Sequence, residues 1–369
     1  MSISALALFI IILLVLVIVH EFGHFIVAKL TGMRVDEFAF GFPPRVFAKK
    51  YGETTYAINA LPLGGYVSIW GENGSDEDKE KGGAKHHPRA FGNRPWWTQL
   101  LVLIAGVTMN MLLALFIFIG ISYGTVTVSA NDEIYGSRIK ESSLIVAEVS
   151  KESPAYKAGV VPGSTILALT SANQKAQLTT ATSLIAFIGA HQNTPFIISY
   201  RSPDGQEKST TVAAVYGIVP DKKALGISIE QVGTIKTTFA EAISLGYGKT
   251  LTITRLTIDG LSSVVSSIFK GNNVLSSLSG PVGIARIVGE TSEYGISAVL
   301  TLVAVLSINL AIFNILPLPA LDGGRMVVVI IETVTRKKIP YGYYSWVNVI
   351  GFVSLMLLLI IVTINDIRV

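Results

Sequence analysis

The residues of this chain best suited to chemistry are His20, Glu21 and His24, within the stretch VIVHEFGHFIVAKL. On a helix, a spacing of four stacks the two imidazoles on one face, where they can share one ion. Glu21, about 100° round from His20, can reach a water on that ion. This HExxH arrangement is the one used by zinc hydrolases. The chain has no cysteine, which excludes thiolate ligands, disulfides and a cysteine nucleophile, so any metal site is built from His, Asp and Glu. Its five histidines are His20, His24, His86, His87 and His191. A catalytic zinc takes three protein ligands and keeps one position open, so a third ligand must come from elsewhere.

The elements that position these residues follow from composition. Of the 369 residues, half are AVILMFWYC and 15% are charged, against roughly 25% in a soluble domain. An ordinary water-soluble fold is excluded. The net charge of +4 does not signal nucleic acid, because the 29 Lys and Arg are dispersed and the one tight cluster is Arg336, Lys337 and Lys338. Four stretches carry no Asp, Glu, Lys or Arg, namely 1–20, 95–131, 294–321 and 339–365, and each is long enough to span a bilayer core as helix. The first lacks the basic leader and Ala-x-Ala site of a cleaved signal. Spans are therefore expected over 1–30, 95–126, 294–324 and 343–369. Basic residues crowd segment 31–94 and recur in the loop 325–342, so both loops are expected in the cytoplasm. Both termini and the long intervening segment then lie outside.

The third ligand is narrowed by elimination. The second and fourth apolar stretches hold no carboxylate or imidazole, whereas the third ends NLAIFNILPLPALDGGR and carries Asp322 at its cytoplasmic end, the depth of His20 and His24. Pro317 and Pro319 cannot continue a helix, which predicts an unwound stretch presenting Asp322 to a wet cavity. An Asp before Gly-Gly also suits a helix cap.

Residues 127–216 read as a small β-rich domain. LIVAEV and TILALT are strand-length runs, TTATSLIAFIGAH is helix-like, and PFIISYRSPDGQEKSTTVAAV is a hairpin. Ser153, Pro154, Ala155, Ala158, Gly159, Pro162, Gly163 and Ile166 match the signature of a PDZ domain, which the segment resembles. Segment 217–293 is expected to be amphipathic, and its stretch 237–270, interrupted by Glu241, Lys249, Arg255 and Asp259, is expected to form helices on the outer membrane surface or beneath the β-domain. Within 31–94, alternating apolar residues and the turn signals Pro43-Pro44, Tyr51-Gly52 and Gly64-Gly65 predict β-hairpins. Open strands cannot face lipid, so hairpins near the membrane must line a cavity. Residues 74–89 read as a solvated loop carrying His86 and His87.

HEFGH, the NxxPxPxLDG pattern at 314–323, the GxxxN of Gly106 and Asn110, GGYV at 64–67 and LSGPVGI at 278–284 together resemble the site-2 protease family of intramembrane zinc metalloproteases. The likeness covers nearly the whole chain. It implies a polytopic α-helical membrane protein with four transmembrane helices, a membrane-associated β-hairpin region and one extracytoplasmic PDZ domain, in the bacterial cytoplasmic membrane. The best-known bacterial members carry two PDZ domains, and this chain has room for one. The resemblance implies Zn2+ held by His20, His24 and Asp322 with Glu21 as proton carrier. It implies single-span substrates such as a trimmed anti-sigma factor or remnant signal peptides. Asn314, Tyr56, Ile58, Gly64, Gly65 and Asn110 are expected at the substrate. Region 34–70 would offer an edge strand to the unwound segment, with its free edge expected over 55–60.

Two other classes compete. A metal transporter needs a file of polar groups through several spans, which the second and fourth stretches lack. A non-catalytic PDZ scaffold would not need Glu21.

Overall fold

The computed structural model describes residues 3–72, 87–130, 135–139, 142–176, 180–219, 222–271 and 279–368. Most of the expected loop 74–89, His86 included, and Leu278 of LSGPVGI lie outside the described residues. The chain forms two compact units, one of 1–118, 246–290 and 299–369, the other of 119–245 and 291–298.

Four helices among the described residues are long and apolar enough to cross a membrane: α1 (Ile3–Leu30), α2 (Trp96–Ile121), α7 (Ile296–Ile315) and α9 (Tyr341–Arg368). Lipid offers backbone groups no partner, so such segments close their hydrogen bonds internally as helix. On α1 the two faces separate cleanly. Ile11, Val15, Ile18, Phe22 and Ile26 are exposed, while Ile12, Leu16, His20, Gly23, His24 and Ala28 are buried. Both histidines thus point into the protein. Gly23 sets the approach of α2, since a Cβ there would stand 2.4 Å from the Ala105 carbonyl oxygen.

β1 (Val35–Tyr51) and β2 (Thr54–Ile69) form a bent two-strand ribbon. The early part of β1 meets both arms of β2: Phe38 lies opposite Val67 and opposite Tyr56, and Phe40 opposite Gly65 and Ile58. Residues 45–51 pair back on 54–59, as Lys49 with Tyr56 and Phe47 with Ile58. The arm is therefore paired on both sides over 55–58. This corrects the expected edge at 55–60. The arms bordered on one side only, among the described residues, are 45–51 and 65–69.

α7 stops at Ile315, and the prolines at 317 and 319 hold the next six residues out of helix, with Ala320 at φ +70° and its amide donating to Asn348 Oδ1 of α9 at 3.2 Å. The chain then starts α8 (Asp322–Thr335). The expected cytoplasmic loop 325–342 is thus largely helical, a correction traceable to the apolar run Met326–Ile331, which buries Met326 and Val329 on one face. Gly323 and Gly324 allow the tight return: a Cβ on either would stand 2.2 Å from the carbonyl oxygen of Leu316 or Leu318.

The sheet of the second unit has the order β3 (Gly124–Ser129), β11 (Ile227–Thr237), β4 (Ser142–Val149), β5 (Thr165–Ser171), β7 (Phe196–Arg201) and β8 (Glu207–Val212), with β6 (Gln174–Lys175) paired to β5. A separate pair joins β9 (Val215–Val219) to β10 (Lys222–Ala224). Helices α3 (Pro154–Lys157) and α4 (Ala181–Ala190) complete the unit. Leu144, Leu169, Leu184, Phe196 and Ile198 form its buried core. The β-domain thus runs to 237 rather than 216, because β11 lies between β3 and β4.

The expected helices of 237–270 are one continuous helix, α5 (Phe239–Phe269). Its charges interrupt a span but cost a helix little. Thr257 donates to Asn309 of α7 at 2.8 Å, so this stretch of α5 packs on a spanning helix instead of lying apart from the spans. LSGPVGI opens α6 (Pro281–Ser292), whose Gly283 amide donates to Asp366 of α9 at 2.7 Å. The missing side chains of Gly280 and Gly283 make room for that carboxylate.

Candidate metal centre

Three donors converge on one point. His20 Nε2 lies 3.1 Å from Asp322 Oδ2, His24 Nε2 lies 3.2 Å from the same oxygen, and the two imidazole nitrogens are 3.2 Å apart. α1 brings the histidines through its four-residue spacing, and the turn from the Pro loop into α8 brings Asp322. This is the one His/Cys/Asp/Glu group of three with metal-ligand geometry among the described residues.

The donor set fits a divalent ion of zinc's size. At about 2.0–2.1 Å from a tetrahedral ion, neighbouring ligands are about 3.3–3.4 Å apart, close to the observed triangle. The ring of His24 is held in the orientation a ligand needs. Its Nδ1 lies 2.8 Å from the Val102 carbonyl, so Nδ1–H donates there and the Nε2 lone pair turns to the other two ligands. Both histidines are buried while Asp322 keeps 21% of its side chain accessible, leaving one open side.

α2 supports the centre from behind through the GxxxN pair. A Cβ on Gly106 would stand 2.5 Å from His24 Nε2 and 2.7 Å from His20 Cε1, so only glycine lets the helix pass. One turn on, Asn110 is fully buried, with Nδ2 3.4 Å from His20 Nδ1 and Oδ1 without a partner. Asn314 approaches the other ring nitrogen, its Nδ2 3.3 Å from His20 Nε2, and it is partly exposed. The two asparagines thus take opposite sides of one imidazole: Asn314 faces the open centre, and Asn110 has no surface to offer a substrate.

Glu21 lies where α1 meets the arm 65–69. The Val67 backbone amide donates to its carboxylate, and a Cβ on Gly65 would stand 3.0 Å from the Ala39 carbonyl oxygen and 3.4 Å from Glu21 Cγ. Gly64 sits instead under the Phe42 ring. Tyr56 and Ile58 are on the doubly paired arm, and Tyr56 packs its ring on Phe25 and Phe38. Of the residues expected at the substrate, the structure brings Gly65 and Asn314 to the centre and leaves Tyr56, Ile58 and Asn110 away from its open side.

Sequence reasoning missed three groups. The Val102 carbonyl and Val67 amide are backbone atoms, which any residue would supply. Arg325, one turn past Asp322, hydrogen-bonds the Glu72 carbonyl and stacks on Phe91 and Tyr344, with its guanidinium 5.3 and 4.7 Å from the ring centroids. Its signal was present in LDGGR, where it reads only as a cytoplasmic cation.

Residues 8–358 match peptidase family M50. The chain is 32% identical over 352 residues to a protein of Clostridium perfringens provisionally named a zinc metalloprotease, covering 95% of each chain. It is 32% identical over 355 residues to a protein of Clostridium acetobutylicum with the same provisional name, covering 96% of this chain and 94% of the other. It is 29% identical over 434 residues to the zinc metalloprotease RasP of Geobacillus kaustophilus, covering 98% and 97%.

Proposed function

Because the chain belongs to peptidase family M50, we propose that it is a zinc-dependent endopeptidase that hydrolyses peptide bonds within single-span membrane segments. The observation that carries this reading is the convergence of His20 and His24 of the apolar helix α1 with Asp322 at the start of α8, with Glu21 beside them. A zinc ion held there would supply Lewis-acid chemistry, lowering the pKa of a water towards about 7 and polarising the scissile carbonyl. Glu21 takes the proton from the attacking water and returns it to the leaving amine, and the Val67 amide holds the carboxylate in place between the two transfers. Asn314 hydrogen-bonds the substrate backbone at the open side.

A helical substrate hides its peptide bonds in its own hydrogen bonds, so it must unwind before attack. The arm 65–69 offers replacement partners, since among the described residues it is paired on one side only, and it borders Glu21. An extended segment added there would lie beside the proton carrier. Asn110 acts on His20: with its amide turned so that Oδ1 accepts Nδ1–H, the orphaned oxygen is satisfied and Nε2 stays free for the ion.

The distribution of Lys and Arg supports an inner-membrane topology with both termini outside and the metal centre toward the cytoplasm. In plan the chain resembles the regulator of sigma-E protease, with a single PDZ-like β-unit, which suits substrates such as trimmed anti-sigma factors or remnant signal peptides.

The test is to purify wild type and Glu21→Gln in detergent, measure zinc, and incubate each with a single-span substrate. Both should hold about one zinc per chain, and only wild type should cleave. Equal cleavage, or a wild type without zinc affinity, would sink the proposal.

A further inference from the structure

α8 starts without a side-chain cap of its own. Its N-cap is Leu321, which has no polar side chain to offer the first turn, and the Asp322 carboxylate is turned to the histidines instead. Ala320, just before it, holds φ at +70°, a backbone conformation that persists only where its neighbours over-determine it. The third ligand is therefore placed from outside its helix. One face of α9 supplies part of that support: Tyr344 meets Arg325, Asn348 accepts the Ala320 amide, and Gly351 lies against Pro319, at the i, i+4, i+7 spacing of a single helical face.

Arg325 reaches the other way as well. It stands three residues past Asp322, on the same side of α8, and its guanidinium donates to the Glu72 carbonyl while lying 4.7 Å from the Tyr344 ring centroid and 5.3 Å from that of Phe91. Both anchors on the far side are firm. Phe91 is buried and its amide donates to the Trp70 carbonyl at 2.8 Å, and the Glu72 amide donates to the Ile69 carbonyl at 3.1 Å, closing the turn at the end of β2. That turn ends the arm 65–69, whose Val67 amide holds Glu21. The Glu72 carboxyl is itself within electrostatic reach of Arg325, His24, Asp322 and Glu21, so the junction borders the metal centre. The carboxylate that binds metal and the one that carries the proton are thus set by separate segments, and Arg325 joins them. A guanidinium suits this post, because its plane can lie on aromatic rings while its N–H groups donate to a carbonyl. A cation needed only to mark the cytoplasmic side would be replaceable by lysine.

On the premise of the zinc-peptidase reading above, we propose that Arg325 is a positioning residue for the hydrolysis. By clamping the start of α8 to the end of β2 it keeps Asp322 in register with Glu21.

The test compares full-length wild type in detergent with Arg325→Met, which keeps the apolar stem and loses the guanidinium, with Arg325→Lys and with Tyr344→Leu. Each is read by zinc competition against a chelator, by the visible absorption of the cobalt-substituted protein, by its unfolding midpoint, and by kcat against KM on a single-span substrate. Arg325→Met should bind zinc about 10–100-fold more weakly, shift the cobalt spectrum, and lose about 100-fold in kcat with KM unchanged. Arg325→Lys can still donate to the Glu72 carbonyl but has no plane to lay on the rings, so it should fall between wild type and Arg325→Met. Tyr344→Leu removes one ring and should cost zinc affinity about 2–5-fold; it carries the test if Arg325→Met does not fold. A merely structural arginine would lower the unfolding midpoint and leave the zinc affinity and cobalt spectrum of the folded protein as in wild type, which would overturn the proposal. A rise in KM alone would also overturn it, by making Arg325 a substrate contact. A wild type without zinc affinity would sink the peptidase reading and this inference with it, whereas a wild type that binds zinc and cleaves beside an unaffected Arg325→Met would sink the inference alone.

Discussion

Gly106→Ala tests the metal centre without touching a ligand. The added methyl carbon would stand 2.5 Å from His24 Nε2 and 2.7 Å from His20 Cε1, where ordinary contact begins near about 3.4 Å. The shortfall is close to 1 Å. Zinc sites tolerate deviations of about ±0.2 Å in ligand distance, so either an imidazole or the whole of α2 must move. α2 is itself held, because Gly23 of α1 already touches the Ala105 backbone. The displacement therefore falls on the histidines, and the expected outcome is a 10–100-fold loss of zinc affinity, the scale seen when a ligand's support is removed. Cleavage should fall about 100-fold for a 1 Å misplacement. Gly120→Ala on the same helix is the control, since no atom lies within 4 Å of its Cβ position and alanine favours helix by about 1 kcal/mol. Zinc competition against a chromophoric chelator and single-turnover cleavage measure both variants. If Gly106→Ala binds zinc and cleaves like Gly120→Ala, the packing argument is wrong.

Asn110→Leu should weaken zinc binding about 10–100-fold, while Asn110→Asp, which can still accept the His20 Nδ1–H, should retain it; the same chelator competition separates the two. Val67→Pro removes the amide that faces Glu21 and should depress cleavage with zinc content intact, whereas unchanged turnover would exclude the arm 65–69 from substrate handling. Glu53 joins the end of α1 to the segment before α2: hydrogen bonds from Arg89 and then Lys29 hold its carboxyl down from 4.5 to about 2. Because the folded value is the lower one, this contribution to stability is complete above about pH 4.5 and is lost as pH falls towards 2. Thermal midpoints recorded between about pH 6 and about pH 3 should fall more steeply for wild type than for Glu53→Gln.

How much was legible in the sequence depended on whether a feature has a period. His20 and His24 declare themselves because four residues make about one helical turn, and the unbroken apolar runs declare the spans. Asp322 was reachable by elimination, since so few ionisable groups lie inside those runs. The free edge at 65–69 was not legible, because which arm of a bent ribbon is paired twice is decided by long-range register. β11 was hidden for a related reason: ISIEQVGTIKT mixes polar and apolar residues without clean alternation, and its place between β3 and β4 is a tertiary fact. The α8 helix was missed because a short apolar run after Gly-Gly and before Arg-Lys-Lys reads as a connection until its buried face is seen. Asn110 was recognised as part of a pattern, but its partner is an imidazole 90 residues earlier in the chain.

The separation of the ligands along the chain also bears on biogenesis. His20 and Asp322 are 302 residues apart, and synthesis at about 5–20 residues per second places the third ligand roughly 15–60 s after the first two. Throughout that interval the nascent protein holds an imidazole pair inserted in the membrane without the carboxylate that closes the triangle. The Pro loop before Asp322 is then braced by Asn348 of α9, which emerges later still. The metal triangle therefore cannot close until the segments that carry Asp322 and Asn348 have both been made.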